Sequence, residues 1–227
     1  MGRARDISKV FSTGTSLSTD SEVSGSYLTL ASASTTYQTK ASAGLTLLTP
    51  PSITATGGSG SIGANGSVAF TSASAISLNS IFSSSYTNYR ILINQSSAST
   101  VSTMRFRMRS GSTDDSGANY ALAGIYTRSD NATIASWRDP YTSLSSWYLG
   151  EYHSSTPTPY SLDIFNPNVA SKTGISLIAA GYNDTSHTIF NFTHQGLHVP
   201  ATAYDGFTIY AASGTITGTV TVYGYNK

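Results

Sequence analysis

From Ser67 onward, apolar and polar residues alternate in short runs separated by turn residues. Tyr89–Asn94, Thr103–Arg109, Ala118–Tyr126 and Tyr160–Phe165 alternate with period two, as do Gly174–Tyr182, Thr188–Phe192, Gly206–Tyr210 and Thr215–Tyr225. In an extended chain successive side chains point to opposite faces, so each run offers one face to a core and the other to water. At least eight such runs, with no helical period among them, predict an all-β, antiparallel β-sandwich or jelly-roll head over 67–227.

Ahead of Ser67 the pattern changes. Residues 50–66 open on Pro50-Pro51 and continue through Gly57-Gly58, Gly60, Gly63 and Gly66. They read as a linker, stiff at the prolines and loose at the glycines, or as an extended arm held by neighbouring subunits. In residues 1–49, Thr19-Asp20-Ser21-Glu22 has the form of a capping box, in which hydroxyl and carboxylate satisfy helix-start amides. Behind it Val23, Tyr27, Leu30, Ser34, Tyr37 and Ala41 recur at spacings of four and three, a heptad-like seam. Gly25 and the many Ser and Thr lower helix propensity, which limits the expectation to one or two helical turns in an otherwise extended stalk. Val23, Tyr27, Leu30 and Tyr37 are its candidate trimer seam. Residues 1–66 as a whole have too few large apolar side chains to offset the entropy of ordering their backbone. They should be ordered only by other copies or by a docking partner.

Composition narrows the function classes. Ser and Thr supply 71 of 227 residues, and no charged residue stands between Lys40 and Arg90. Charged residues make up 10% and the net charge is +1, which predicts no general attraction to nucleic acid or to a membrane surface. No apolar run approaches the roughly 18 residues that span a bilayer, and Met1–Ile7 lacks the apolar core of a secretory signal. The absence of cysteine excludes disulfides, thiolate metal sites and cysteine nucleophiles. The 15 Tyr, 8 Phe and 2 Trp lie mostly after Phe70, which marks the second half as the folded part.

Three constellations carry candidate chemistry. Trp137, Arg138, Asp139 and Tyr141, followed by Trp147, Tyr148 and Tyr152, gather both tryptophans in one loop-rich stretch. Flat rings stack on the CH faces of sugars while Arg and Asp read hydroxyls, so the cluster suits a glycan. The plainer reading, which weighs more, is that the rings fill the core or a subunit interface. Arg105, Arg107 and Arg109 alternate with Met104, Phe106 and Met108, so a strand would put three guanidiniums on one face. That stripe suits an anionic polysaccharide; the favoured alternative is intersubunit ion pairing, with Asp114 and Asp115 as partners, or edge protection. His194 and His198 flank Gly196 among strand residues, where four extended residues separate them by about 13 Å, too far for one metal. Asp114-Asp115-Ser116-Gly117 lacks the later acid of a calcium loop and reads as a tight turn. No metal or cofactor is expected. No Gly-x-Ser-x-Gly elbow occurs, and the only acid pairing with catalytic form is Asp139 with Glu151 or Asp163, as in a glycosidase. The chain is therefore expected not to be an enzyme.

The opening, Arg5 to Val23, resembles the start of phage tail-fibre and appendage proteins, especially those of cyanophages, and Tyr27–Ala41 looks like their spacer repeats. Gly214–Tyr225 is similar to the last strand of small phage structural β-domains. The resemblance implies a virion structural protein, made in the host cytoplasm and exposed on the particle. Its N-terminal segment, with Arg5, Ile7, Val10 and Phe11, would join other virion proteins of tail or capsid. Its C-terminal head, as a homotrimer, would meet host surface polysaccharide. The resulting division is stalk 1–49, linker 50–66 and head 67–227. The rivals are a capsid decoration or cement protein and, further off, a polysaccharide depolymerase spike.

Overall fold

The computed structural model describes residues 44–152, 154–183 and 188–226, with 131–133, 137–143 and 183 described by their backbone alone. The anchor residues Arg5, Ile7, Val10 and Phe11, the seam Val23, Tyr27, Leu30 and Tyr37, and the expected helical turns all lie outside the described residues. The compact β unit begins at Gly44. Its strands in chain order are β1 Leu45–Leu48, β2 Ser52–Thr56, β3 Ser59–Ile62, β4 Val68–Ala73, β5 Ala75–Asn79, β6 Asn88–Ala98, β7 Ser102–Ser110 and β8 Thr113–Asp114, then β9 Tyr120–Arg128, β10 Asn131–Leu144, β11 Trp147–Tyr152, β12 Thr158–Phe165, β13 Thr173–Asn183, β14 Thr188–His198, β15 Gly206–Ala211 and β16 Ile216–Tyr225.

These strands form two antiparallel sheets. The larger runs β10-β9-β14-β13-β12-β6-β16-β4-β3, and β1 shares with β4 the second edge of β16. The smaller runs β11-β7-β15-β5-β2, with β8 beside β7. The sheets face each other because one side of nearly every strand is apolar. The large sheet turns Tyr89, Ile91 and Ile93, then Tyr160, Leu162 and Ile164, inward; the small sheet answers with Met104, Phe106, Met108, Phe207 and Ile209, all buried in one cluster. Across the gap Trp147 of β11 meets Tyr120 of β9 edge-on at 5.2 Å, and within the small sheet Phe106 stacks on Phe207 at 4.8 Å. All eight runs of alternation become strands, which makes the β-sandwich expected of the head.

The linker is different. Residues 50–66, expected to connect stalk to head, contain β2, paired with β5 of the small sheet, and β3, paired with β4 of the large one. Ile53 and Ala55 alternate with Ser52, Thr54 and Thr56 and pack against the core. The glycines turn a corner rather than loosen the chain: Gly57 has φ of +71°, and a side chain on Gly58 would lie 2.3 Å from the Thr71 carbonyl oxygen. The stalk boundary moves as well, because Leu45–Leu48 pairs with Val222–Tyr225. For 44–66 the ordering partner is thus this chain's own sandwich. The stretch around the tryptophans, expected to be loop-rich, is the strand pair β10 and β11.

Candidate ligand-binding faces

Alternation sends the second face of each strand to solvent, so candidate sites divide between the two outer faces and the core. Of the aromatic cluster, Trp147, Tyr148 and Tyr152 belong to the core. Trp147 is 0% exposed, and its indole N–H donates to the Ala121 carbonyl at 3.2 Å. Tyr152 is equally buried and donates to the Ser213 carbonyl at 3.1 Å. Tyr148 packs beside Phe192 and His194, and burial drives its phenol far above the usual range. For these three rings the weightier reading, core filling, holds and the glycan reading is corrected; a β-bulge between Tyr148 and Gly150 lets Trp147 and Tyr152, five residues apart, both face the core, which alternation does not foresee. Trp137, Arg138, Asp139 and Tyr141 lie in β10, the edge strand of the large sheet, with Trp137 in register with Gly124; their side chains lie outside the described residues.

The outer face of the large sheet carries a row of mixed character. Thr221, Leu92, Ser161, Ile178, Thr193 and Ile125 stand side by side across β16, β6, β12, β13, β14 and β9. A trough of about 380 Å³ crosses this row, lined by Leu92, Asn94, Pro159, Ser161, Ile178 and Ala180. Ile178 is 60% exposed on its floor. The next row along is polar: Tyr223, Arg90, Asp163, Ser176 and Gln195. Arg90 grips Asp163 through Nε at 2.9 Å and a terminal nitrogen at 2.7 Å, and the Tyr225 hydroxyl donates to the same carboxylate at 2.6 Å. Burial pushes Asp163 upward, but the bonds from Arg90 and Tyr225 outweigh it and hold the carboxyl below the usual range. The group is a fixed acceptor and not a reservoir of protons. Sequence reasoning overlooked Arg90, Tyr223 and Tyr225. The alternation of β16 marks the two tyrosines as outward, but no local signal pairs β16 with β6 and β12.

On the outer face of the small sheet the three arginines of β7 separate. Arg109 is internally satisfied, ion-paired to Asp114 and donating to Asn79 Oδ1 at 2.7 Å. The ion pairing expected between subunits is here within one chain, because β8 folds back beside β7. Arg107 lies over the Tyr210 ring at 4.7 Å and donates from Nε to the Ser145 carbonyl at 2.9 Å. Arg105 lies over Tyr148 at 5.3 Å and donates from Nε to Thr103 Oγ1 at 3.3 Å.

The histidines face inward. His194 and His198 both project from β14 into the core, and burial lowers both below the usual imidazole range, against the pull of Asp115 in the case of His198. His198 Nε2 lies 3.0 Å from Asp115 Oδ2. Asp115 also accepts from the Gly117 amide, Asn119 and the Tyr204 hydroxyl, which makes the expected tight turn and ties it to β14. Burial pushes the Tyr204 phenol up to about 12. With the His198 ring fully buried, this cluster is a clamp on the fold. The acid pairing weighed for catalysis, Asp139 with Glu151 or Asp163, joins β10 to β11 or β12, and the Asp139 side chain lies outside the described residues.

No family model matches the chain, and no curated protein matches it in sequence. Among solved structures it is similar to the CBM2 module of the evolved Dit of Lactobacillus casei BL23 phage J-1, at a TM-score of 0.35 and 13% identity, over 85% of this chain and 93% of that one. At that level the likeness assigns this chain neither ligand nor assembly.

Proposed function

We propose that the chain is a non-enzymatic phage virion component, a short tail fibre or appendage subunit that holds host surface polysaccharide on the outer face of its large sheet. One observation carries the binding reading: an apolar trough lined by Leu92, Pro159, Ile178 and Ala180 runs beside a polar row, Tyr223, Arg90 and Asp163, in which Arg90 and Asp163 hold each other in place. Sugar rings present that combination in reverse, with CH faces for the trough and hydroxyls for the row. A site with a small number of placed polar groups over an apolar floor suits binding and orientation. Because Arg90 and Tyr225 favour the ionised form of Asp163, this carboxyl is poorly matched to general-acid work, which supports a binding role over cleavage. The resemblance of Arg5–Val23 to phage appendage proteins supports the virion setting. A homotrimer would join three weak sugar contacts into firm attachment through effective concentration.

The test is binding of the purified protein to an array of bacterial surface polysaccharides. Ile178→Asp and Tyr223→Ala should each lower the signal at least tenfold with the melting temperature unchanged. Binding that survives both removes the large-sheet face from the reading. A second reading, a capsid decoration protein, draws on the exposed isoleucines Ile125, Ile178 and Ile189, which suit packing against a neighbouring shell protein. Hundreds of copies per particle would select it, and tens or fewer the appendage.

A further inference from the structure

The arginines of the sandwich whose side chains are described fall into two kinds. Arg90, Arg109 and Arg128 each hold an aspartate, respectively Asp163, Asp114 and Asp130. Arg105 and Arg107, neighbours on the outer face of β7, have no carboxylate in ion-pair range among the described residues. The acid nearest in register is Glu151, opposite Thr103, and Asp114 is already taken by Arg109 and the Thr208 hydroxyl. Both guanidiniums are nevertheless held in place. Each lies over a tyrosine ring and has its Nε hydrogen-bonded within the chain. This leaves the terminal nitrogens without a hydrogen-bond partner among the described residues, and those are the donors that bind a carboxylate or phosphate in a fork. Two residues apart on one strand, the groups stand about 7 Å from each other. Both are half-buried, which lowers the entropy lost when an anion binds.

We propose that Arg105 and Arg107 form a second binding site, for a linear acidic polymer whose carboxylates or phosphates lie along β7. The site is on the sheet opposite the trough and stands independently of the reading given above. Its ligand is defined by regularly repeated negative charge on a flexible chain, and sugar identity matters little to it.

The experiment is titration of the intact protein with three polymers: polygalacturonate, which carries carboxylates, linear polyphosphate, and neutral dextran. At least one polyanion should bind, with affinity falling tenfold or more between 50 and 200 mM salt, since exposed charges are screened over that range. Binding by one polyanion alone sustains the proposal and identifies the anion. Replacing both arginines by glutamine should weaken polyanion binding at least tenfold, and replacing both by lysine should give an intermediate value, because charge remains without the planar fork. Ile178→Asp should leave polyanion binding unchanged, so this site and the trough fail separately. The proposal is overturned if neither polyanion binds the wild-type protein, if the double glutamine variant binds as wild type while melting at the same temperature, or if dextran binding responds to that variant as polyanion binding does.

Discussion

The two outer faces of the sandwich come from the same alternation of residues yet differ in how their charges are managed. On the large sheet Arg90 and Asp163 neutralise each other and leave an apolar trough beside them. On the small sheet Arg109 is neutralised by Asp114, while Arg105 and Arg107 rest on tyrosine rings with no acid in ion-pair range among the described residues. Stacking on a ring fixes a guanidinium without cancelling its charge, whereas an ion pair does both. One face is therefore suited to neutral, CH-rich surfaces and the other to anions. The difference depends on which side chain happens to stand across from each arginine.

The largest perturbation removes the comparison altogether, because both faces rest on one core. Trp147 of the small sheet touches Tyr120 of the large one and is wholly buried. Trp147→Ala should cost about 3–5 kcal/mol of stability in denaturant unfolding, and ligand binding on the two faces should fail together at the same denaturant concentration. Binding that failed on one face alone would mean that the sheets are separable units.

A sharper intervention converts one face toward the other. Asp163→Ala frees Arg90 from its acid while leaving it beside Tyr225, 5.9 Å from the ring centroid. The large face should then acquire a weak second polyanion site, seen as added stoichiometry in the titration, and lose about tenfold in glycan binding. The stability cost should be about 0.5–1 kcal/mol, since the pair is partly exposed and screened. An unchanged stoichiometry would show that a free guanidinium alone does not make such a site, and the comparison would lose its basis.

Acid should act on the core before it acts on either face. His194 lies among Tyr148, Phe192 and the backbone of β9, and His198 among Asp115, Tyr120, Trp147 and Tyr204. Both have folded-state pKa values lowered by burial. The unfolded chain, titrating near 6.5, thus binds protons more readily than the folded one. Stability is fully present above about pH 6.5 and falls as pH drops through that value, by at most about 1.4 kcal/mol per pH unit for each histidine. Asp163 behaves in the opposite sense to a raised group: its contribution is present above about pH 3.9 and is lost only as pH falls toward its lower folded value. Denaturant unfolding at stepped pH should show the histidine loss first, and His194→Gln should flatten part of it. Stability that holds level from pH 7 to 5 would contradict the buried, neutral state of both rings.

What the sequence disclosed follows from where each signal resides. The β-sandwich was legible because a strand with one wet face declares itself locally, as Thr103–Arg109 does. The fate of its arginines was not, since Arg90 finds its acid 73 residues away and nothing local separates Arg105 from Arg109. Trp147 was ambiguous because a buried ring and a sugar-stacking ring look alike in sequence; its register with the buried Phe106 of β7 decided for burial. Residues 50–66 were misread because Gly and Ser dominate their composition, while Ile53 and Ala55, which bind β2 to the core, are a sparse signal. Trp137, Arg138, Asp139 and Tyr141 are assigned to β10 by their backbone, and their side chains lie outside the described residues.

The finest distinction concerns the ring beneath Arg107. If stacking is what fixes the open guanidinium, the flat face of Tyr210 matters and its hydroxyl does not. Tyr210→Phe should then leave polyanion affinity within measurement error. Tyr210→Leu keeps an apolar side chain of similar reach but removes the negative ring face, and exposed cation–π contacts are worth about 0.5–1 kcal/mol. That corresponds to roughly a two- to fivefold loss of affinity, with the melting temperature little changed because the ring is only half-buried on the outer face. The same pair of substitutions should not affect glycan binding on the large sheet. Equal losses for Phe and Leu would point to the hydroxyl, and no loss for either would leave the Ser145 carbonyl as the group that positions Arg107.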